Sequence, residues 1–171
     1  MMPLPEDMYP DFVNIVITPA NVVRRRRSPQ EIKKVSRGDP MGRLRVLIAD
    51  DNDIVLQSVR RILEAEFEIV GVVKNGESLV AAAHKLKPDI MIVDIFMPGM
   101  NGLEAARRLK KGHVSGSIIF LTVHQDVALA DEARLIGAMG YVLKSSADRD
   151  LVPAIQEARA GRFFLSAAVD F

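Results

Sequence analysis

The chain has 171 residues, 49% hydrophobic and 26% charged, with 23 Lys/Arg against 22 Asp/Glu. That composition excludes global disorder and fits a folded globular domain plus extensions. The absence of cysteine excludes disulfides, thiolate metal sites and a cysteine nucleophile, and no apolar run approaches the roughly 18 residues a membrane span needs.

Charge is unevenly spread. Residues 1–43 carry eight Lys/Arg and five Asp/Glu, whereas residues 44–171 carry fifteen and seventeen. The larger part is therefore not a nucleic-acid binder by charge alone. Prolines at 3, 5, 10, 19, 29 and 40 break any long element in the first segment. The run FVNIVIT (12–18) has the pattern of a short strand, and residues 24–27 are four consecutive arginines. Such a run suits an anionic surface, but the composition reads as a solvated flexible extension, or a non-native one with translation beginning at Met41. No signal peptide is read, and the expected compartment is the cytoplasm.

From residue 44 the pattern becomes regular. A β-branched run at 44–49 is followed by a helix at 53–65, with Val55, Val59, Ile62 and Leu63 at helical spacing and Asp53 as its expected N-cap. A second strand at 68–73 closes on Asn75-Gly76, and a helix at 77–86 stops before Pro88. The third strand, 89–93, is almost wholly apolar, as a strand buried on both faces would be. A helix at 101–110, a strand at 117–122, a helix at 126–136 capped by Gly137, a short strand at 141–143 and a helix at 148–160 complete the series. Pro153 is placed in the first turn or so of that last helix. Five strands alternating with five helices predict an α/β fold with a parallel sheet and helices on both faces. Residues 44–160 form the expected domain, and 161–171 a C-terminal tail.

In such a fold ligands gather at the carboxyl ends of the strands. The first strand ends in Asp50-Asp51, the third in Asp94, the fourth in Thr122 and the fifth in Lys144. If the central strands are adjacent, three carboxylates, a hydroxyl and an ammonium converge. Clustered carboxylates repel unless a cation joins them, and an all-oxygen set suits Mg²⁺. Lys144 and Thr122 fit a phosphoryl group, and a carboxylate such as Asp94 can attack phosphorus to give an acyl phosphate. Taken singly, an Asp after a strand is more often a helix cap and a Lys after a strand a solvated charge. Their joint placement at four strand ends is what favours chemistry.

The motifs VLIADDN (46–52), DIMIVDIFMPGMNGLEA (89–105), IIFLT (118–122) and GAMGYVLK (137–144) resemble the receiver domain of bacterial two-component response regulators. The resemblance implies a flavodoxin-like five-stranded sheet in the order 2-1-3-4-5, with Asp94 as the phosphoacceptor. It implies Asp50, Asp51, Asp94 and the backbone carbonyl of Phe96 as Mg²⁺ ligands. Thr122 and Lys144 are then the pair that grips the phosphoryl oxygens, and Tyr141 the aromatic switch. Phe96 and His124 are candidate modulators of water attack, though a mobile-loop His124 without a role is the more natural reading. Ser145 replaces the proline that commonly follows the lysine, so a trans peptide is expected there. That departure, and the tail GRFFLSAAV (161–169), resemble the NarL/LuxR subfamily without its helix-turn-helix output domain. The implied partner is a sensor histidine kinase acting as phosphodonor, with a homodimer as a candidate state. No sequence-specific DNA binding by this chain alone and no membrane partner are expected. Catalysis is expected only of the protein's own phosphotransfer and dephosphorylation.

Two other readings stay open at this level. An aspartate-nucleophile phosphatase of the haloacid-dehalogenase kind uses similar groups, but its second aspartate would fall at Phe96 and its acidic pair comes late in the chain. A phosphorylation-independent binding or dimerisation module would keep the fold with a silent acceptor.

Overall fold

The computed structural model describes residues 42–169. The 1–41 part of the extension, with its candidate strand and arginine run, lies outside them, as do residues 170–171. The elements in chain order are β1 Arg45–Ala49, α1 Asp53–Leu63, β2 Glu68–Val73, α2 Gly76–Leu86, β3 Ile90–Asp94, α3 Gly102–Lys111, β4 Ser117–Thr122, α4 Val127–Ile136, β5 Gly140–Leu143, α5 Ala147–Arg159 and β6 Phe164–Leu165. A single 3-10 turn, Lys144–Ser146, joins β5 to α5.

The sheet is parallel, in the order β2-β1-β3-β4-β5-β6. The predicted order holds for the first five strands. The strand count needs correction, because Phe164–Leu165 adds a sixth at the free edge of β5. The Phe164 amide donates to Met139 O and the Ser166 amide to Tyr141 O, both at 3.0 Å. Two residues are too short for any periodicity to announce a strand.

The strands sort their side chains by alternation within almost wholly apolar runs. Leu47, Ala49, Met91, Val93, Ile118, Phe120, Tyr141 and Leu143 face α2, α3 and α4. Val46, Ile48, Ile90, Ile92, Ile119, Leu121 and Val142 face α1 and α5, which contribute Leu56, Val59, Leu63, Leu151, Ala154 and Ile155. Burying both faces leaves only the strand ends to meet water, which is why polar chemistry collects there.

Helix starts are set by side-chain caps. Asn52 Oδ1 accepts from the Ile54 and Val55 amides, Asn75 Oδ1 from Ser78, Asn101 Oδ1 from Glu104, and Asp126 Oδ1 from Ala128 and Leu129. The cap of α1 is thus Asn52, not Asp53. The latter is the first helical residue and pairs with Lys74 Nζ at 2.7 Å. Gly137 ends α4 in the left-handed conformation, φ +89°, as its position suggested. Pro153 lies deeper than expected, at the seventh residue of α5. There it removes a donor from the helix interior, at a cost of up to about 3 kcal/mol. Gly102 lets α3 start against β3: a Cβ at that position would lie 2.1 Å from the Asp94 carbonyl oxygen.

Candidate functional site

Five predicted residues meet at the carboxyl end of the sheet because β1, β3, β4 and β5 are successive neighbours. Asp50 is 1% exposed, Asp94 6% and Thr122 0%, while Asp51 is open to solvent. Ligand oxygens of Asp50, Asp51 and Asp94 lie within 4.8 Å of one another. Lys144, one residue past β5, reaches back so that its Nζ lies 2.7 Å from Asp50 Oδ2 and 3.1 Å from Asp94 Oδ2.

Hydrogen bonds fix these carboxylates. The Asn52 amide donates to Asp50 Oδ1 at 2.9 Å, and the Phe96 amide reaches Asp94 Oδ1 at 3.4 Å. The buried Asp50 Oδ2 is held by the Lys144 ammonium at 2.7 Å. Three oxygen-only donors converging here, two buried and one exposed, suit a hard divalent cation. The acid cluster therefore fits Mg²⁺ on its donor chemistry.

The electrostatics follow from this crowding. Burial and the Asp50 charge push the Asp94 carboxyl above the usual aspartate range, against the opposing pull of Lys144. Burial alone would depress Lys144, but its contacts to Asp50 and Asp94 outweigh that and raise it. A carboxyl raised on folding weakens the fold above its folded pKa, and that penalty is relieved as pH falls through the folded value toward the ordinary 3.8. Without divalent cations, Asp94→Asn should therefore melt above the wild type at pH 7–8. The gap should close as pH approaches 4. Thermal melts across that range in chelator check this; a gap that widens on acidification contradicts the sign.

The rim is aromatic. The Phe96 and His124 rings stand 4.6 Å apart between centroids at 53°. Phe96 remains half exposed. The His124 amide donates to Thr122 Oγ1 at 3.2 Å, so the loop after β4 folds back onto its own hydroxyl. Tyr141 is fully buried and donates its hydroxyl to the His124 carbonyl at 2.8 Å. Burial first, then the Asp126 charge, push its phenol up to about 12. The Lys144–Ser145 peptide is trans. Two supporting groups went unread in the sequence. Asn52 both caps α1 and holds Asp50, a dual use that its place directly after Asp50-Asp51 could have signalled. Glu77 accepts the Met100 amide at 3.1 Å and so fixes the loop after β3. No local pattern marks that contact, which spans 23 residues.

The response regulator receiver domain family matches residues 46–156. The chain belongs to this family. Among its relatives, the nitrate/nitrite response regulator NarL of Escherichia coli K12 is 34% identical over 126 residues, which span 72% of this chain and 58% of that protein. The response regulator GacA of Pseudomonas viridiflava is 34% identical over 125 residues, with the same coverage. The chain thus spans a little over half the length of these relatives. A LuxR-family response regulator from an Aurantimonas species superposes with a TM-score of 0.71 at 32% identity, over 75% of this chain and 93% of the other. The isolated receiver domain of Salmonella enterica RcsB, solved with the phosphomimetic BeF3-, superposes with a TM-score of 0.69 at 31% identity, over 75% and 96% of the two chains. The relatives are NarL/LuxR-type regulators. Receivers are signalling domains of two-component systems, and as a family they take phosphate from histidine kinases and bind Mg²⁺ at an aspartate cluster. No helix among the described residues is long and apolar enough to cross a membrane.

Proposed function

We propose that this receiver accepts a phosphoryl group on Asp94 from the phosphohistidine of a sensor kinase. The observation that carries the reading is Lys144, bridging two buried carboxylates at the strand ends beside the buried Thr122 hydroxyl. An Asp94 carboxylate oxygen attacks phosphorus, the P–N bond breaks, and the departing imidazole nitrogen keeps the electron pair and takes up a proton. The product is an acyl phosphate. Asp50, Asp51, Asp94 and the Phe96 carbonyl would hold Mg²⁺, which supplies charge neutralisation for the carboxylates and the phosphoryl oxygens.

Lys144 then exchanges Asp94 for a phosphoryl oxygen while keeping Asp50. Thr122, whose Oγ1 accepts from the His124 amide, would turn its own O–H from the Tyr141 hydroxyl beside it to a phosphoryl oxygen. Drawing that hydroxyl toward phosphate moves the loop carrying His124, and with it the carbonyl that holds the Tyr141 hydroxyl. The phosphoryl group biases an existing equilibrium through these differential contacts. The face of α4, β5 and α5 would carry the output. A self-association step is included by analogy with RcsB, which is described as dimers on DNA. The working compartment is proposed to be the cytoplasm.

The test is incubation with a small acyl-phosphate donor, read by intact mass. Wild type should gain one phosphoryl group with Mg²⁺ and none in excess chelator, because three neighbouring carboxylates repel an uncompensated phosphate. Equal gain by Asp94→Asn, or gain in chelator, overturns the assignment.

A further inference from the structure

The mechanism leaves one buried carboxylate unused. Asp150, in the first turn of α5, is 6% exposed. Its Oδ2 accepts from Ser146 Oγ at 2.8 Å and from Ser166 Oγ at 2.6 Å, and its Oδ1 accepts from Arg149 Nε at 2.8 Å. Ser166 follows β6 directly and is fully buried. Its Oγ also accepts from the Leu143 amide at 3.1 Å. Leu143 is the residue before Lys144, and Ser146 is the second residue after it. One flank of the lysine is therefore tied to Ser166 and the other to Asp150, and these two are bonded to each other. The tail has further contacts: the Ser166 amide bonds Tyr141 O, and on the opposite face of the sheet the Arg134 guanidinium of α4 sits 4.6 Å over the Phe163 ring.

We propose that Ser146, Asp150 and Ser166 form a joint coupling the position of Lys144 to the docking of β6, Asp150 acting as a positioning residue for the lysine. This rests on the reading of Asp94 given above. Capture of a phosphoryl group pulls the Lys144 ammonium from Asp94 toward the new oxygens. The 3-10 turn that carries Lys144 also carries Ser146, so displacement there loads the Ser146–Asp150–Ser166 bonds. β6 is the element that yields, being two residues long and at the sheet edge. By linkage the effect is reciprocal: undocking β6 must change the affinity of the site for a phosphoryl mimic by the same factor. A merely structural clip predicts lost stability and no such reciprocity.

The experiment is amide hydrogen exchange at Phe164 and Ser166 by NMR, with and without beryllium fluoride plus Mg²⁺, alongside beryllium fluoride titrations. It uses wild type, Asp150→Asn and the milder Ser166→Ala, which removes a single hydroxyl. In wild type the mimic should speed exchange of both amides about tenfold, a change within the usual range for coupled sites. Ser166→Ala should exchange faster without the mimic and bind it more tightly by a matching factor. Binding with unchanged exchange, or variants that lose stability with unaltered affinity for the mimic, overturns the joint and leaves Asp94 standing. No binding by the wild type overturns the Asp94 reading, and the joint with it.

Discussion

Lys144→Ala should cost the metal-free receiver about 8–12 °C of melting temperature, corresponding to roughly 2–3 kcal/mol for a domain of this size. The lysine is the cation shared by Asp50 and Asp94, at 2.7 and 3.1 Å. Removing one partner of a buried pair leaves uncompensated charge and commonly costs about 3–5 kcal/mol. Here proton uptake by Asp94, already raised by burial, and water entering the space of a side chain 17% exposed recover part of that. Mg²⁺ replaces the lost charge, so saturating metal should restore most of the difference through linkage. The variant should bind the metal as tightly as wild type or more tightly, because a competing cation is gone. Phosphate should still form at Asp94, yet leave Tyr141 and β5 unmoved, since the group that senses it is missing. Melts and Mg²⁺ titrations followed by NMR settle this. Loss of metal binding in the variant counts against the whole electrostatic picture.

Gly102→Ala should be at least as damaging. The added methyl would lie 2.1 Å from Asp94 O, 3.0 Å from Asp94 C and 3.0 Å from Val93 Cγ1. Two of these neighbours are backbone atoms of the proposed acceptor, and the third is packed in the core, so none is a flexible side-chain end. The Gly102 amide is also bonded to Ile95 O at 2.8 Å, which fixes the separation of α3 from the strand end. Relief requires α3 or the end of β3 to shift. Overpacking of this kind costs about 1–3 kcal/mol, and more where backbone is struck; we expect about 3 kcal/mol or more, with phosphoryl uptake reduced at least tenfold. Differential scanning calorimetry and mass-monitored phosphorylation read both effects. A variant with wild-type stability and uptake would show that the loop between β3 and α3 is far softer than this contact implies.

The main frame was legible because its signals are local. Strands β1, β3 and β4 are short apolar runs ended by polar residues, and the helices between them show their period in positions such as Val59, Leu63, Ala106 and Leu109. Each of Asp50, Asp94, Thr122 and Lys144 could be placed at a strand end from the chain alone; their convergence also needed the adjacency of β1, β3, β4 and β5, which no local signal carries. What escaped depended on relations the chain does not display locally. Asn52 and Asp53 are both good cap residues, and choosing between them takes the backbone angles of the turn. Pro153 is the sixth residue of a helix begun at 148 and the seventh of the observed one; the 3-10 turn Lys144–Ser146 winds the chain before α5 begins, so the proline sits well inside the helical run. Ser166 and Asp150 are unremarkable polar residues until β6 brings them within 2.6 Å.

The burial of β1, β3 and β4 on both faces has a consequence for the chain before it folds. VLIA, IMIV and IIFL are the kind of uncharged, strand-forming segments that nucleate cross-β assembly when exposed. In a parallel sheet each must wait for a helix crossover before it finds its neighbour, which prolongs that exposure. Two of the three are guarded by charge at both ends, β1 by Arg45 and Asp50-Asp51, β3 by Asp89 and Asp94. The acids that read as a phosphate site in the native state thus serve as gatekeepers in the unfolded one. β4 lies between Ser117 and Thr122, with no charge adjoining it, so the hydroxyl that suits the site leaves this strand as the segment from which aggregation during refolding would start.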